Sequence, residues 1–107
     1  MKVAITSTGN SPESTLDSRF GRCAYFVVYD TESQATEFIP NPNKESVEGA
    51  GPVSVTLVAS RGVKKVVSGE FGAKVKATFD QLQIQLVVLN EPEKKIREII
   101  NLLTHQN

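Results

Sequence analysis

Apolar residues along the chain follow two patterns, one typical of strands and one typical of helices. Short runs rich in β-branched residues predict strands over residues 2–6, 24–30, 63–68 and 84–89. Residues 35–39 predict a further strand that pairs back on the second as a hairpin. The second run is almost continuously apolar, which indicates a strand that is buried on both faces.

Three other segments carry apolar residues at helical spacing. The first helix is predicted over residues 53–61, because Pro52 suits a first helical position and Gly62 suits the residue just past the end. The third is predicted to open at Pro92. The predicted inner faces are Val53, Leu57 and Val58 in the first helix, Phe71, Val75, Phe79 and Leu82 in the second, and Ile96, Ile99, Ile100 and Leu103 in the third.

The predicted order of elements is β, β, β, α, β, α, β, α. Strand and helix alternate in the second half, which predicts a right-handed parallel unit, and the early hairpin adds antiparallel strands at one edge. The fold class is therefore α/β. We expect residues 1–107 to form one domain, because a chain of 107 residues holds a single core.

Charge and composition exclude several classes of protein. The 12 Lys and Arg residues balance the 12 Asp and Glu residues, which argues against a nucleic-acid-binding surface. No apolar run approaches the ~20 residues of a membrane span. The chain begins with a strand pattern rather than a secretory segment. We therefore expect a cytoplasmic protein whose partners include neither nucleic acid nor membrane.

Two irregular segments, residues 7–15 and 40–51, are candidates for a binding site. The first is predicted to be a mobile loop after the first strand, and the second leads into the first helix. Backbone N–H groups of Gly49, Ala50 and Gly51 could receive an anion at a positive helix end. The alternative is a glycine-rich turn that merely begins the helix, and spacing alone favours this second interpretation.

The segment around the only cysteine is denser in candidate chemistry. Arg19 and Arg22 flank Phe20 and Gly21 and could clamp an anion through their planar guanidinium groups. A thiolate beside two arginines would have a lowered pKa, which would suit a soft metal ligand or a nucleophile. The alternative is that Phe20 packs in the core, the arginines are solvated and Cys23 is a small buried residue. For Cys23 this second interpretation is favoured, because free cysteine is commonly buried and inert.

Catalytic motifs are absent from the sequence. It contains no Walker loop, no dinucleotide-binding fingerprint, no nucleophile elbow and no zinc-ligand spacing. An enzyme with Cys23 as nucleophile would lack a placed base, because the only histidine, His105, lies near the C-terminus. We therefore expect a binding protein rather than an enzyme.

The motifs together resemble the dinitrogenase iron–molybdenum cofactor biosynthesis family, which includes nitrogenase accessory carriers and small single-domain relatives. The matching residues are 16–26, 48–51, 62–63 and 69–74, and the resemblance covers nearly the whole chain. The Phe-Gly-Arg sequence at residues 20–22 and the Gly-Ala-Gly sequence at residues 49–51 are fairly specific in this order and spacing.

This resemblance implies a ribonuclease-H-like three-layer α/β/α fold with a five-stranded mixed sheet. It implies non-catalytic carriage of an anionic metal–sulfur cluster, such as a molybdenum and iron (or copper) sulfide, in cofactor assembly or delivery. An acceptor or scaffold protein would be the partner. The implied pocket, with Cys23 as the metal ligand, consists of Arg19, Phe20, Gly21, Arg22, Cys23, Glu48, Gly49, Ala50 and Gly51.

Two positions depart from the family pattern. Many members carry histidine before the Phe-Gly-Arg and before the Gly-Ala-Gly, where this chain has Arg19 and Glu48. Two metal ligands are thereby replaced, and Glu48 brings a negative charge to the approach of an anionic cluster. The alternative function is a metal-free interaction module whose two loops order against a partner protein.

Overall fold

Five strands and three helices make up the fold of this computed structural model, which describes residues 1–42 and 50–105. The strands are β1 (Lys2–Ser7), β2 (Tyr25–Asp30), β3 (Thr36–Pro40), β4 (Val63–Ser68) and β5 (Gln85–Val88). The helices are α1 (Ala50–Ser60), α2 (Ala73–Gln81) and α3 (Ile96–Thr104). The predicted order of elements is confirmed.

All five strands join one mixed sheet in the order β3-β2-β1-β4-β5. The pairs β1–β2 and β2–β3 are antiparallel, and the pairs β1–β4 and β4–β5 are parallel. The predicted hairpin and the predicted parallel half are both present. Because β1 and β4 run in the same direction, their carboxyl ends at Ser7 and Ser68 meet at one edge of the sheet.

Helices cover both faces of the sheet. Helices α1 and α2 bury residues such as Val58 and Phe79 in one core cluster, and α3 buries Ile96 and Ile99 in another. Burial of apolar surface on both sides stabilises the sheet by roughly 25 cal/mol for each Å² removed from water. The result is a mixed α/β arrangement with helices on either side.

Strand β2 belongs to both clusters, as its apolar run predicted. Phe26 and Val28 pack under α1 and α2, whereas Val27 and Tyr29 face α3. Successive side chains of a strand point to opposite faces, so a strand between two helical layers needs apolar residues at every position. The Tyr29 hydroxyl lies 2.6 Å from Thr104 Oγ1 and so finds a polar partner on α3.

Helix α1 differs from its prediction at its start and on its inner face. It begins at Ala50, so Pro52 lies inside the first turn, where its missing N–H leaves no helical hydrogen bond unmade. Val53 was predicted to be buried but is 49% exposed, and Ser54 is fully buried. The C-terminal prediction is confirmed, because Gly62 adopts a left-handed φ of 76°.

The other two helices are shorter than their apolar patterns suggested. Phe71 is buried just before α2, and Leu82 lies past its end and is exposed. Helix α3 begins at Ile96, four residues after Pro92. The Glu98 carboxylate accepts the Lys95 N–H at 3.0 Å, which satisfies one of the N–H groups that a helix start leaves without a partner.

Candidate functional site

The segment that carries both arginines is attached to the carboxyl ends of β1 and β4. Thr6 Oγ1 donates to the Asp17 carbonyl at 2.6 Å and lies 3.0 Å from Ser68 Oγ. The Asp17 N–H donates in turn to the Thr6 carbonyl at 2.9 Å. These three residues are buried, and the carboxyl end of a parallel sheet is where α/β proteins usually bind ligands.

Arg19 lies at the surface beside a buried acid. Its N–H donates to Asp17 Oδ1 at 3.0 Å, and its Nε lies 3.5 Å from the same oxygen. The Arg19 side chain is 55% exposed, whereas that of Asp17 is 8% exposed. Asp17 therefore orients the start of the segment and leaves about half of the Arg19 side chain open to solvent.

Phe20 points into the core, as the alternative interpretation of this segment predicted. Its ring centroid lies 5.7, 5.5 and 5.3 Å from those of Phe26, Phe71 and Phe79 respectively. Aromatic pairs at such distances add about 0.5–1.5 kcal/mol each beyond the area they bury. Phe20 thus anchors the segment in the core between its two arginines.

Gly21 brings this segment against the start of α1. It has a left-handed φ of 95°, and a Cβ built there would lie 3.3 Å from Gly51 Cα. Gly51 itself packs against α2, where a Cβ would lie 2.8 Å from Val75 Cγ2. The close approach of the two glycines joins the Phe-Gly-Arg sequence to the last residue of the Gly-Ala-Gly sequence.

The second predicted loop is only partly described. Glu48 and Gly49 lie outside the described residues. Ala50 and Gly51 are helical, and Pro40 belongs to β3, so the prediction of irregular structure over residues 40–51 is wrong at both ends. Packing of Gly51 against Val75 explains how a glycine is retained inside a helix.

Cys23 is fully buried, as the favoured interpretation of this residue predicted, and the other interpretation, a lowered pKa, is wrong. Burial raises the pKa of its thiol to about 12, and the charge of Asp17 acts in the same direction. Removal of the thiolate from water thus outweighs any effect of the nearby arginines. The side chain belongs to the core cluster that α1 and α2 cover.

Asn41 is a residue of this region that sequence reasoning missed. It is buried, and its Nδ2 donates to the carbonyls of Gly21 and Cys23, both at 2.9 Å. Its backbone N–H donates to the Ala24 carbonyl at 3.0 Å. The only sequence signal was a polar residue between two prolines after a strand, which is also typical of an ordinary turn.

The first predicted loop is closed by hydrogen bonds, and its mobility stays a prediction. Backbone hydrogen bonds of 2.8–3.0 Å tie it to itself and to the start of α3. They join Thr8 to Thr15, Leu16 to Lys94, Ile96 to Ser14 and Arg97 to Pro12. The Glu13 carboxylate adds an ion pair with Arg97, whose Nε lies 2.7 Å away.

The described residues offer charge and hydrogen-bond donors rather than a cage of metal ligands. Within residues 1–42 and 50–105, no three His, Cys, Asp or Glu side chains lie close enough together to hold a metal ion. Arg22 is half-buried, and His105 is an exposed residue at the end of α3. None of the helices described is long and apolar enough to cross a membrane.

Comparison with known proteins gives a consistent match along the sequence. A family model described as "Dinitrogenase iron-molybdenum cofactor" matches residues 1–106. The uncharacterized protein MJ0580 of Methanocaldococcus jannaschii is 30% identical over 93 residues, which are 84% of this chain and 75% of that protein.

Two solved structures show the same fold over nearly the whole chain. The apo form of the orange protein from Desulfovibrio gigas matches with a TM-score of 0.86 and 26% identity, covering 94% of this chain and 83% of that one. A Thermotoga protein, provisionally described as a NifB protein of the DUF35 family, matches with a TM-score of 0.80 and 30% identity. That match covers 94% of this chain and 84% of the Thermotoga chain.

Proposed function

The chain belongs to the dinitrogenase iron-molybdenum cofactor family, and on this premise we propose that it binds and carries an anionic metal–sulfur cluster. The cluster is the cargo of the protein, so no bond of a substrate is made or broken. The orange protein was solved in its apo form, a description that implies a ligand for that relative. A molybdenum sulfide with iron or copper is the proposed cargo, and an acceptor or scaffold protein the proposed partner.

The contact between Gly21 and Gly51 is the observation that carries this proposal. A Cβ on Gly21 would lie 3.3 Å from Gly51 Cα, so the segment with Arg19 and Arg22 adjoins the first turn of α1. A helix N-terminus carries a partial positive charge, and guanidinium groups are weakly hydrated donors suited to anions. We propose that positive groups from these two distant parts of the sequence converge here.

We propose that positive charge and backbone N–H groups hold the cluster, with Gly49, Ala50 and Gly51 as the second half of the site and the acidic Glu48 at its approach. Cys23 is the only soft donor in the predicted pocket, and its role as a ligand stays a prediction. Because its thiol is buried and neutral, ligation would require the segment around it to open. Unchanged affinity in a Cys23→Ser variant would remove it from the site.

The fold supports the ribonuclease-H-like label that the sequence resemblance implied. A mixed sheet with β2 antiparallel to its neighbours lies between α1 and α2 on one face and α3 on the other. The label concerns architecture alone and assigns no nuclease chemistry to this chain.

An anaerobic titration tests the proposal directly. Purified protein receives tetrathiomolybdate together with copper or iron, and the visible spectrum and the backbone amide signals are recorded. We expect colour that co-elutes with the protein, and amide shifts concentrated in residues 17–23 and 50–54. The Arg19→Ala/Arg22→Ala double variant should lose the colour while keeping its fold, because it lacks both guanidinium groups.

The matched control removes the same charge from the opposite edge of the sheet. Lys2 and Lys64 are exposed near the amino ends of β1 and β4, so a Lys2→Ala/Lys64→Ala variant should bind like the unchanged protein. If both double variants lost binding equally, net charge alone would explain the binding, and the site assignment would be overturned. A folded protein that acquires no colour would overturn cluster carriage.

The structure gives less support to the alternative function, a metal-free interaction module. It required both irregular segments to order on a partner, yet residues 8–15 are already hydrogen-bonded to the start of α3. The titration separates the two functions, because a metal-free module would give neither colour nor shifts with the thiomolybdate.

A further inference from the structure

One buried side-chain amide holds the backbone on both sides of Arg22. Asn41 follows β3 directly, and its Nδ2 donates to the carbonyl of Gly21 and to that of Cys23, each at 2.9 Å. Arg22 is the residue between these two carbonyls. The backbone of Asn41 is held as well, because its N–H donates to the Ala24 carbonyl.

The segment needs such a restraint because of the glycine within it. Gly21 has a left-handed φ of 95°, and a glycine has more backbone conformations available than any other residue. Buried carbonyls need donors, and a primary amide is a neutral group that supplies two N–H bonds from one nitrogen. Asn41 matches both needs at once.

We propose that Asn41 is the positioning residue of the anion site: it fixes the backbone from which the Arg22 side chain projects. The inference rests on the proposed function, in which Arg22 contacts the cluster. Asn41 acts through Arg22 rather than by touching the cluster.

A double-mutant cycle measures this dependence. Affinity for tetrathiomolybdate with copper is determined for Asn41→Ala, for Arg22→Ala and for the combination of both. We expect Asn41→Ala to weaken binding about tenfold, since it leaves two buried carbonyls without their donor. Arg22→Ala should then cost little more in that background, because residues that act as a unit are not additive.

Controls separate positioning from a general loss of structure. Asn101→Ala removes an exposed amide from α3, on the other side of the sheet, and should bind like the unchanged protein. Additive effects of Asn41→Ala and Arg22→Ala would overturn the inference, because a merely destabilising change weakens binding whether or not Arg22 is present.

A second measurement needs no ligand. In the unchanged protein, the Asn41 side-chain amide protons should exchange slowly and show scalar couplings across hydrogen bonds to the carbonyl carbons of Gly21 and Cys23. Rapid exchange without those couplings would overturn the inference. In Asn41→Ala, the Arg22 and Cys23 amides should exchange at least about tenfold faster while those of β4 keep their protection.

The two experiments fail in different ways. If the unchanged protein binds no thiomolybdate, the proposed function falls, and the couplings still decide whether Asn41 restrains Arg22. If the paired arginine variant loses binding while the Asn41 and Arg22 effects add, the proposed function stands and the positioning role falls.

Discussion

Cys23 shows how burial decides the chemistry of a single residue. Its pKa rises from an ordinary value of 9.0 to about 12 because the thiolate would be desolvated. Between about pH 9 and pH 12 the Cys23 thiol stays protonated in the folded protein but loses its proton in the unfolded chain. Its contribution to the free energy of unfolding is therefore fully present below about pH 9 and is lost as the pH rises toward 12.

We predict that the stability of Cys23→Ala falls less steeply above about pH 9 than that of the unchanged protein. Urea unfolding of both proteins at a series of pH values measures the difference between their free energies of unfolding. The titration of the lysines and tyrosines that both proteins share cancels in this difference. Parallel stability curves, or rapid alkylation of Cys23 in the folded protein, would contradict this account of its environment.

Gly21 combines a backbone requirement with a close contact. Its φ of 95° strains any other residue, and a Cβ there would lie 3.3 Å from Gly51 Cα. Gly62 shares the left-handed conformation, with a φ of 76°, but a Cβ on it would meet nothing within 4 Å. Alanine substitutions at Gly62 and Gly21 therefore separate the free-energy cost of the left-handed backbone from the cost of the contact with Gly51.

We predict that Gly62→Ala destabilises the protein by about 1 kcal/mol and that Gly21→Ala destabilises it by about 2 kcal/mol or more. Chemical denaturation measures both free energies. Gly21→Ala should also weaken binding of the thiomolybdate probe, because it separates the arginine segment from α1. Equal losses of stability would mean that the contact with Gly51 is easily relaxed.

At the scale of elements, strands were easier to predict than helix faces. The β4 prediction matches the observed strand, because its β-branched run is bounded by glycines on both sides. In α1 the face was misjudged, since Val53 and Ser54 are adjacent and an almost uniformly apolar helix has no sharp polar boundary. Packing against α2 through Gly51 sets the rotation of α1, and that contact is not visible in a local pattern.

Ser54 gives the rotation of α1 a measurable consequence. Its Oγ is buried with no hydrogen-bond partner among the described residues. We predict that Ser54→Ala stabilises the protein by about 1 kcal/mol, because an unpaired hydroxyl costs about 1–3 kcal/mol to bury and alanine is the better helix former. Thermal unfolding measures the change.

The exposed Ser60, which lies at the end of the same helix, provides the control. Its Oγ donates to the Leu57 carbonyl at 2.7 Å, so Ser60→Ala should give no comparable gain. A marked loss of stability in Ser54→Ala would instead mean that the hydroxyl has a partner beyond the residues described.

At the scale of the whole molecule, the sequence supplied the members of the candidate site without their arrangement. The resemblance identified residues on both sides of the Gly21–Gly51 contact, because the two motifs are specific together. It could not identify Asn41, whose role arises only when β3 lies beside β2 and brings its end to the arginine segment. Burial of Cys23 was predicted from the usual behaviour of free cysteine, whereas its place in the core cluster under α1 and α2 is a product of tertiary packing.

Net charge gives the last prediction, because the whole chain carries 12 positive and 12 negative side chains. A neutral molecule offers little long-range attraction, so an anion should bind through the arginines that lie near it. Arg19→Ala and Lys2→Ala each lower the net charge by the same amount and leave one arginine of the pair in place. We predict that only Arg19→Ala reduces the salt dependence of thiomolybdate binding. Titrations between about 0.05 and 0.5 M salt, over which the Debye length falls several-fold, measure this dependence. If both variants reduced the salt dependence equally, the attraction would come from the field of the whole molecule, and the arginines would not form the binding site.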